Sequence, residues 1–295
     1  NANDTAVGSI TKPSLASNEG MVEGIFYQTF GSGRPVLIIN GGPGLDSAGF
    51  EPVAKAIAAK GYQTILFDQR GTGRSTLPKI DGSTIQMSLM VEDIEKLRSH
   101  LKQPKFTILG HSFGGMLGAA YAAKYPEHVE KLIFSSAGGL DLSFREQFSK
   151  RFNANLTLTE QAKMQAYQLQ QAAGDDSAET RDALALVRAH AYVIDKSKAP
   201  AIAARLKVVN MAINGLVYQD LEKIQFDLKS SFRDFKAPVL VLQGDKDVIG
   251  VDTAKTIANS FPDARLVIIS NCAHYGWLDS AELYYASVFE FIQAP

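Results

Sequence analysis

The stretch FTILGHSFGGMLGAAYAAK, from Phe106 to Lys124, decides the fold. Phe106 to Gly110 is a short apolar run of the kind that forms a buried strand, and Phe113 to Lys124 continues as an alanine-rich helical pattern. Between them, Gly110-His111-Ser112-Phe113-Gly114 fits G-x-S-x-G in the strand-turn-helix setting that this elbow requires. The two glycines answer a steric demand: the serine occupies a tight, strained turn, and side chains at 110 and 114 would collide with neighbouring backbone. The turn projects the Ser112 hydroxyl outward. The free amides and positive end of the following helix face the same point, which suits a developing oxyanion. Ser112 is therefore the candidate nucleophile.

Outward from this stretch, short apolar runs alternate with helical patterns from Gly24 onward, the rhythm of a mostly parallel sheet covered by helices on both faces. Strands are predicted at Gly24 to Thr29, Pro35 to Asn40, Gln63 to Asp68, Phe106 to Gly110, Leu132 to Ser136, Pro238 to Gly244 and Arg265 to Ser270. Core helices are predicted at Ala48 to Ala59, Ser88 to Leu101, Phe113 to Lys124, Asp252 to Ser260 and Ser280 to Gln293. Between Gly139 and Arg233 the strand signals stop. Only helical patterns remain there: Phe144 to Phe152, Leu158 to Ala173, Ser177 to Ile194 and Ile202 to Asn214. Thr157 three residues before Glu160, and Asp176 three before Glu179, mark two of the starts. The expectation is a helical cap over 141–232 inserted in an α/β core formed by 21–140 and 233–295. Residues 1–20, small, polar and aperiodic, are expected to be a flexible segment.

A serine hydroxyl is a poor nucleophile until a base takes its proton, and histidine titrates in the right range. Five histidines are present. His100 ends an amphipathic helix, His128 follows Tyr125-Pro126, His190 lies inside a cap helix, and His111 neighbours the serine but points elsewhere. His274 follows the last strand, on a loop at the strand's carboxyl end that can reach Ser112. It is the candidate base. In a serine–acid–histidine chain order the acid lies between cap and histidine, where Gly244-Asp245-Lys246-Asp247 ends a strand. Both aspartates sit at the correct edge. Asp247 is farther into the loop and freer to meet the imidazole, while Asp245 could equally cap a turn. Asn40-Gly41-Gly42-Pro43-Gly44 follows the strand Pro35 to Asn40, so the Gly42 amide, with that of Phe113, is the candidate oxyanion hole.

Composition narrows the partner class. Thirty basic and 31 acidic residues leave a net charge of −1, which gives no long-range field for nucleic acid or an anionic membrane. No apolar run approaches the roughly 18 residues needed to span a bilayer. A small molecule or short peptide is the expected substrate. Walker sequences are absent, and the single cysteine, Cys272, and scattered histidines lack ligand spacing, so neither metal nor organic cofactor is expected. One cysteine excludes an internal disulfide and leaves the compartment open. The location expected is open: cytoplasmic, or periplasmic or secreted if Asn1 is a signal-cleavage end.

Taken together, GGPG at Gly41 to Gly44, DQRGTGRS at Asp68 to Ser75, GHSFGG at Gly110 to Gly115 and the late aspartate and histidine resemble the proline iminopeptidases and the related tricorn-interacting aminopeptidases. The resemblance covers the core, about two thirds of the chain. It implies an α/β-hydrolase fold with an inserted helical cap, a serine triad, and release of N-terminal residues from small peptides by acyl transfer. The family pattern places the acid third after the strand-end glycine, which is Asp247. Two departures stand out. Asn40 occupies the position where the family has histidine, and the cap shows no evident match for the carboxylates that hold the substrate's amine, for which Glu146, Asp220 and Glu222 are the candidates. Phe144, Phe148, Tyr167, Tyr192 and Tyr218 are candidate pocket aromatics. The alternatives are a carboxylesterase with the same triad and, less consistent with an intact triad, a non-enzymatic ligand receptor.

Overall fold

The computed structural model describes residues 17–295. Eight strands form one sheet: β1 Ser17–Val22, β2 Ile25–Phe30, β3 Arg34–Ile39, β4 Tyr62–Phe67, β5 Phe106–His111, β6 Val129–Ser135, β7 Val239–Gly244 and β8 Ala264–Ile269. Their spatial order is β1-β2-β4-β3-β5-β6-β7-β8, with β1 and β2 antiparallel to their neighbours and every pair from β4 to β8 parallel. Helices α1 Glu51–Ala58, α2 Met87–His100, α3 Phe113–Lys124, α9 Val251–Asn259, α10 Gly276–Asp279 and α11 Ala281–Gln293 accompany the sheet. Five more, α4 Arg145–Ala154, α5 Leu158–Ala172, α6 Ala178–Ala189, α7 Ala199–Leu206 and α8 Met211–Lys223, run between β6 and β7.

The parallel strands read as unbroken apolar runs because the pleat sends alternate side chains into two separate cores. Leu37 and Ile39 of β3, Leu132 and Phe134 of β6, and Val239 and Val241 of β7 enter one core, closed by α2, α3, α8 and α9. Val36 and Ile38, Ile133, and Leu240 and Leu242 enter the other, closed by α1 and α11. Each central strand is thus covered on both faces. This is the expected α/β-hydrolase sheet.

Boundaries differ from expectation where local signals are weak or ambiguous. Ser17–Gly20, placed in the flexible segment, belong to β1, an edge strand whose SNEGMV sequence is polar apart from its last two residues and which pairs only with β2; residues 1–16 lie outside the described residues. Thr157 forms the expected capping box with Glu160. The next helix, however, is capped by Ser177, which accepts from Thr180 N, and not by Asp176. The single helix expected over Ile202 to Asn214 is two: α7 stops at Leu206, and Asn210, accepting from Ile213 N, caps a new helix.

Parallel strands all point their carboxyl ends to one edge, and the loops leaving that edge carry Gly42 after β3, Ser112 after β5, Asp247 after β7 and His274 after β8.

Candidate active site

Ser112 sits between β5 and α3 with φ 55° and ψ −123°, a conformation that a serine keeps only when its surroundings hold it. They do so through three backbone bonds: Ser112 N donates to Ser135 O at 3.0 Å, and Ser112 O accepts from Gly115 N at 3.0 Å and Gly138 N at 3.1 Å. A Cβ on Gly110 would stand 2.4 Å from the Gly114 carbonyl oxygen, and one on Gly114 2.0 Å from that of Ile39. Both positions admit glycine alone. Ser112 is partly exposed, while His111 and residues 113–119 are buried.

His274 and Asp247 meet deep in the protein. His274 Nδ1 lies 2.7 Å from Asp247 Oδ1, with the two residues 5% and 0% exposed. Oδ1 also accepts from Ile249 N at 3.1 Å, and Oδ2 from Gln243 Nε2 at 2.9 Å. An ionised carboxylate only accepts, so Nδ1 carries the ring proton and Nε2 keeps its lone pair. Asp245 does something else: its Oδ1 accepts from Cys272 N at 3.2 Å, tying the loop after β7 to the loop after β8. Among the described residues no hydrogen bond joins Ser112 Oγ to His274, a contact that often tightens only when substrate binds.

The loop after β3 lies against the elbow. A Cβ on Gly41 would stand 3.0 Å from Ser112 Cβ and 3.5 Å from its Oγ. Gly42, at φ 127°, is exposed between buried Gly41 and Pro43, one residue beyond the glycine that abuts the serine. Phe113 opens α3 and has no intrahelical acceptor for its amide. Asn40, which replaces the family's histidine, spans the loop from within, its Nδ2 donating to Gly41 O at 2.8 Å and Leu45 O at 3.0 Å.

Aromatic rings surround the histidine. His274 has Tyr275 at 5.1 Å, Tyr192 at 5.6 Å and His111 at 4.8 Å between ring centroids, and its backbone N donates to Tyr192 O at 3.0 Å. Burial first, and then the neighbouring His274, holds the His111 ring well below the ordinary histidine pKa; its Nδ1 bonds Ser135 Oγ, which in turn meets Tyr284 OH. Burial, reinforced by Asp279, Asp247 and Asp245, pushes the Cys272 thiol up to about 12, so it stays protonated. Of the other expected aromatics, Phe148 and Phe152 stack and lead to Tyr192, Tyr218 lies under Arg145, Phe144 is buried in the core, and Tyr167 is half-buried on α5. Gln243, Tyr275 and Phe152 join this surround without a motif that marks them. Tyr275 directly follows the candidate base, and Gln243 lies four residues before the acid.

The candidate amine-holding carboxylates have other partners or face solvent. Asp220 Oδ2 accepts from Met87 N at 2.7 Å at the start of α2, Glu222 pairs with Arg145 at 3.1 Å on the exposed surface, and Glu146 is exposed in the first turn of α4. Among the described residues, no group of three or more histidine, cysteine, aspartate or glutamate side chains is disposed to hold a metal ion. No helix among them is long and apolar enough to cross a membrane.

A mostly parallel sheet with a serine elbow on its central strand, and an aspartate-paired histidine on the last two carboxyl-end loops, is the arrangement of an α/β hydrolase. The chain belongs to that family: residues 34–281 match its model, described as alpha/beta hydrolase fold. A proline iminopeptidase of Heyndrickxia coagulans is 26% identical over 281 residues, spanning 92% of this chain and 95% of that protein. Among solved structures, an esterase from Exiguobacterium antarcticum shares the fold with a TM-score of 0.69 at 20% identity, over 92% of this chain and 96% of that one. The proline iminopeptidase of Mycobacterium smegmatis does so at 0.69 and 22%, over 94% and 97%.

Proposed function

We propose that this hydrolase is a serine hydrolase working by acyl transfer. His274 takes the proton from Ser112 as the serine attacks a carbonyl, Asp247 holds the imidazole in the required tautomer, and the Gly42 and Phe113 amides receive the oxyanion. His274 then protonates the leaving group, and water, activated by the same histidine, releases the acyl group. The observation that carries this reading is the buried 2.7 Å bond between His274 Nδ1 and Asp247, which frees Nε2 to act as base. Residues 141–232 serve as a cap that selects the substrate.

The substrate reading is an aminopeptidase of the proline iminopeptidase type, acting on small peptides, and it rests on the similarity to curated relatives of that name. One observation favours a carboxylesterase instead: Asp220 and Glu222 are already engaged, by the Met87 amide and by Arg145, and Glu146 is a solvent-exposed residue of the first turn of α4. The test compares turnover of proline and alanine β-naphthylamides with that of short-chain p-nitrophenyl esters, using Ser112→Ala as the blank. Amide cleavage that vanishes when the amine is acylated supports the aminopeptidase; turnover of esters alone supports the esterase. Turnover that survives in Ser112→Ala refutes the serine mechanism altogether.

A further inference from the structure

The oxyanion loop is fastened from outside as well as from within. The junction between α7 and α8 bears directly on it: Asn210 N donates to Gly44 O at 2.8 Å, and Asn214 Nδ2, one turn further on, donates to Pro43 O at 2.9 Å. Arg205, at the end of α7, donates through one guanidinium nitrogen to Asp46 O at 2.9 Å and Asp46 Oδ1 at 2.7 Å. A Cβ on Gly44 would stand 2.4 Å from Asn210 O, so the last glycine of GGPG exists to admit the helical segment's backbone. Every carbonyl engaged in this way lies within four residues after Gly42.

We propose that Asn214, with Arg205 behind it, is a positioning residue for the oxyanion hole: the helical segment sets where the Gly42 amide points, and so contributes to the chemical step as well as to substrate choice. The inference rests on the acyl-transfer reading above. Its physical basis is that Gly42, at φ 127° and exposed, belongs to a short loop held from within by the Asn40 amide and by Gln69 Nε2, which donates to Asn40 O at 2.9 Å; both inner anchors bear on carbonyls at its ends and neither on Pro43, so the outer bonds limit how far the loop can swing. An oxyanion donor must sit within a few tenths of an ångström of its target, and a misplacement of about 1 Å costs on the order of 10² in rate. Asn214 touches the loop through Pro43 O, immediately beside the donor-bearing residue.

The discriminating variant is Asn214→Asp, which keeps size and shape but sets an acceptor against the Pro43 carbonyl. The inference requires kcat to fall about 10- to 100-fold with KM within about threefold. Affinity for a boronic acid, which forms a tetrahedral adduct on the serine, falls by the same factor as kcat/KM, while binding of the reaction product does not move. Asn214→Gln, which retains a donor amide, recovers most of the loss. Unchanged kcat in Asn214→Asp overturns the proposal, as does a loss confined to KM with boronate affinity intact, because Asn214 would then be only pocket wall. Should Asn214→Asp unfold, Arg205→Lys is measured in the same way and must show a weaker loss of the same kind. A fluorophosphonate probe keeps the two levels apart. If it fails to label Ser112 in the parent protein, the acyl-transfer reading has failed; if it labels Ser112 and the variants behave as parent, only the positioning role has.

Discussion

Asp245 and Asp247 share one loop and face opposite duties. Asp247 is fully buried and receives His274, the Ile249 amide and the Gln243 amide, whereas Asp245 braces the backbone at Cys272. Replacing the carboxylate that fixes the imidazole tautomer leaves the histidine free to present its N–H to the serine. Asp247→Asn should therefore lower kcat by about 10⁴, while Asp245→Asn, which keeps an acceptor for the Cys272 amide, should cost less than about tenfold. Steady-state kinetics on both variants decide the assignment, and equal losses would reverse it. Ser112→Ala should cost about 10⁶ if serine and histidine act as a unit. The elbow was legible because strand, glycines, serine and helix are contiguous. The choice between the aspartates was not fully legible, because what separates them is Gln243 and Ile249 closing around one carboxylate, a matter of packing that neither spacing nor residue type expresses.

Elements show the same division. Helix α3 has the limits expected of it, since both its ends carry local signals, the elbow before it and Tyr125-Pro126 after it. Helices α7 and α8 look like one in the sequence because Asn210 lies inside a helical pattern, and only its capping bond to Ile213 N reveals a new start. Edge strand β1 escaped because one neighbour and one covered face impose little apolar patterning. A long-range anchor was equally invisible. Lys131 on β6 is 5% exposed and among the described residues has no carboxylate partner, its Nζ donating instead to the carbonyls of Phe291 at 2.8 Å and Ala294 at 2.6 Å at the end of α11. A cation on those unsatisfied helix-end carbonyls suits the dipole. Burial lowers its pKa, which marks the desolvation that these bonds must offset. Lys131→Ala should destabilise the protein by about 2 to 3 kcal/mol, from the stranded carbonyls and the lost stem packing. Thermal melting checks the magnitude, and faster amide exchange confined first to residues 288–293 checks the location.

Over the whole molecule, ionisable groups buried in opposite senses give stability a pH dependence with two arms. His111 is buried neutral, its pKa held well below the ordinary value by desolvation and by His274. The unfolded chain thus binds a proton there that the folded protein refuses, and stability falls as pH drops below about 6.5, the unperturbed histidine value. Glu95 works from the other side. Burial raises its pKa, but the hydrogen bonds of Arg98, Tyr121 and His128 outweigh burial and leave it lowered. The stability that it contributes is present above the unfolded glutamate value of about 4.3 and is lost as pH falls through the folded one. The two arms separate by mutation. His111→Phe keeps a ring against His274 and Trp277 but removes the titrating nitrogens, so its melting temperature should stay flat between about pH 6.5 and 5 where the parent's declines, and both should still fall below about pH 4.3. Glu95→Gln should do the reverse, weakening the protein at neutral pH and flattening only the acid limb. Parallel loss in the parent and His111→Phe from pH 6.5 downward would mean that His111 takes up its proton without cost, and that the Ser135–Tyr284 chain relaxes to accept it.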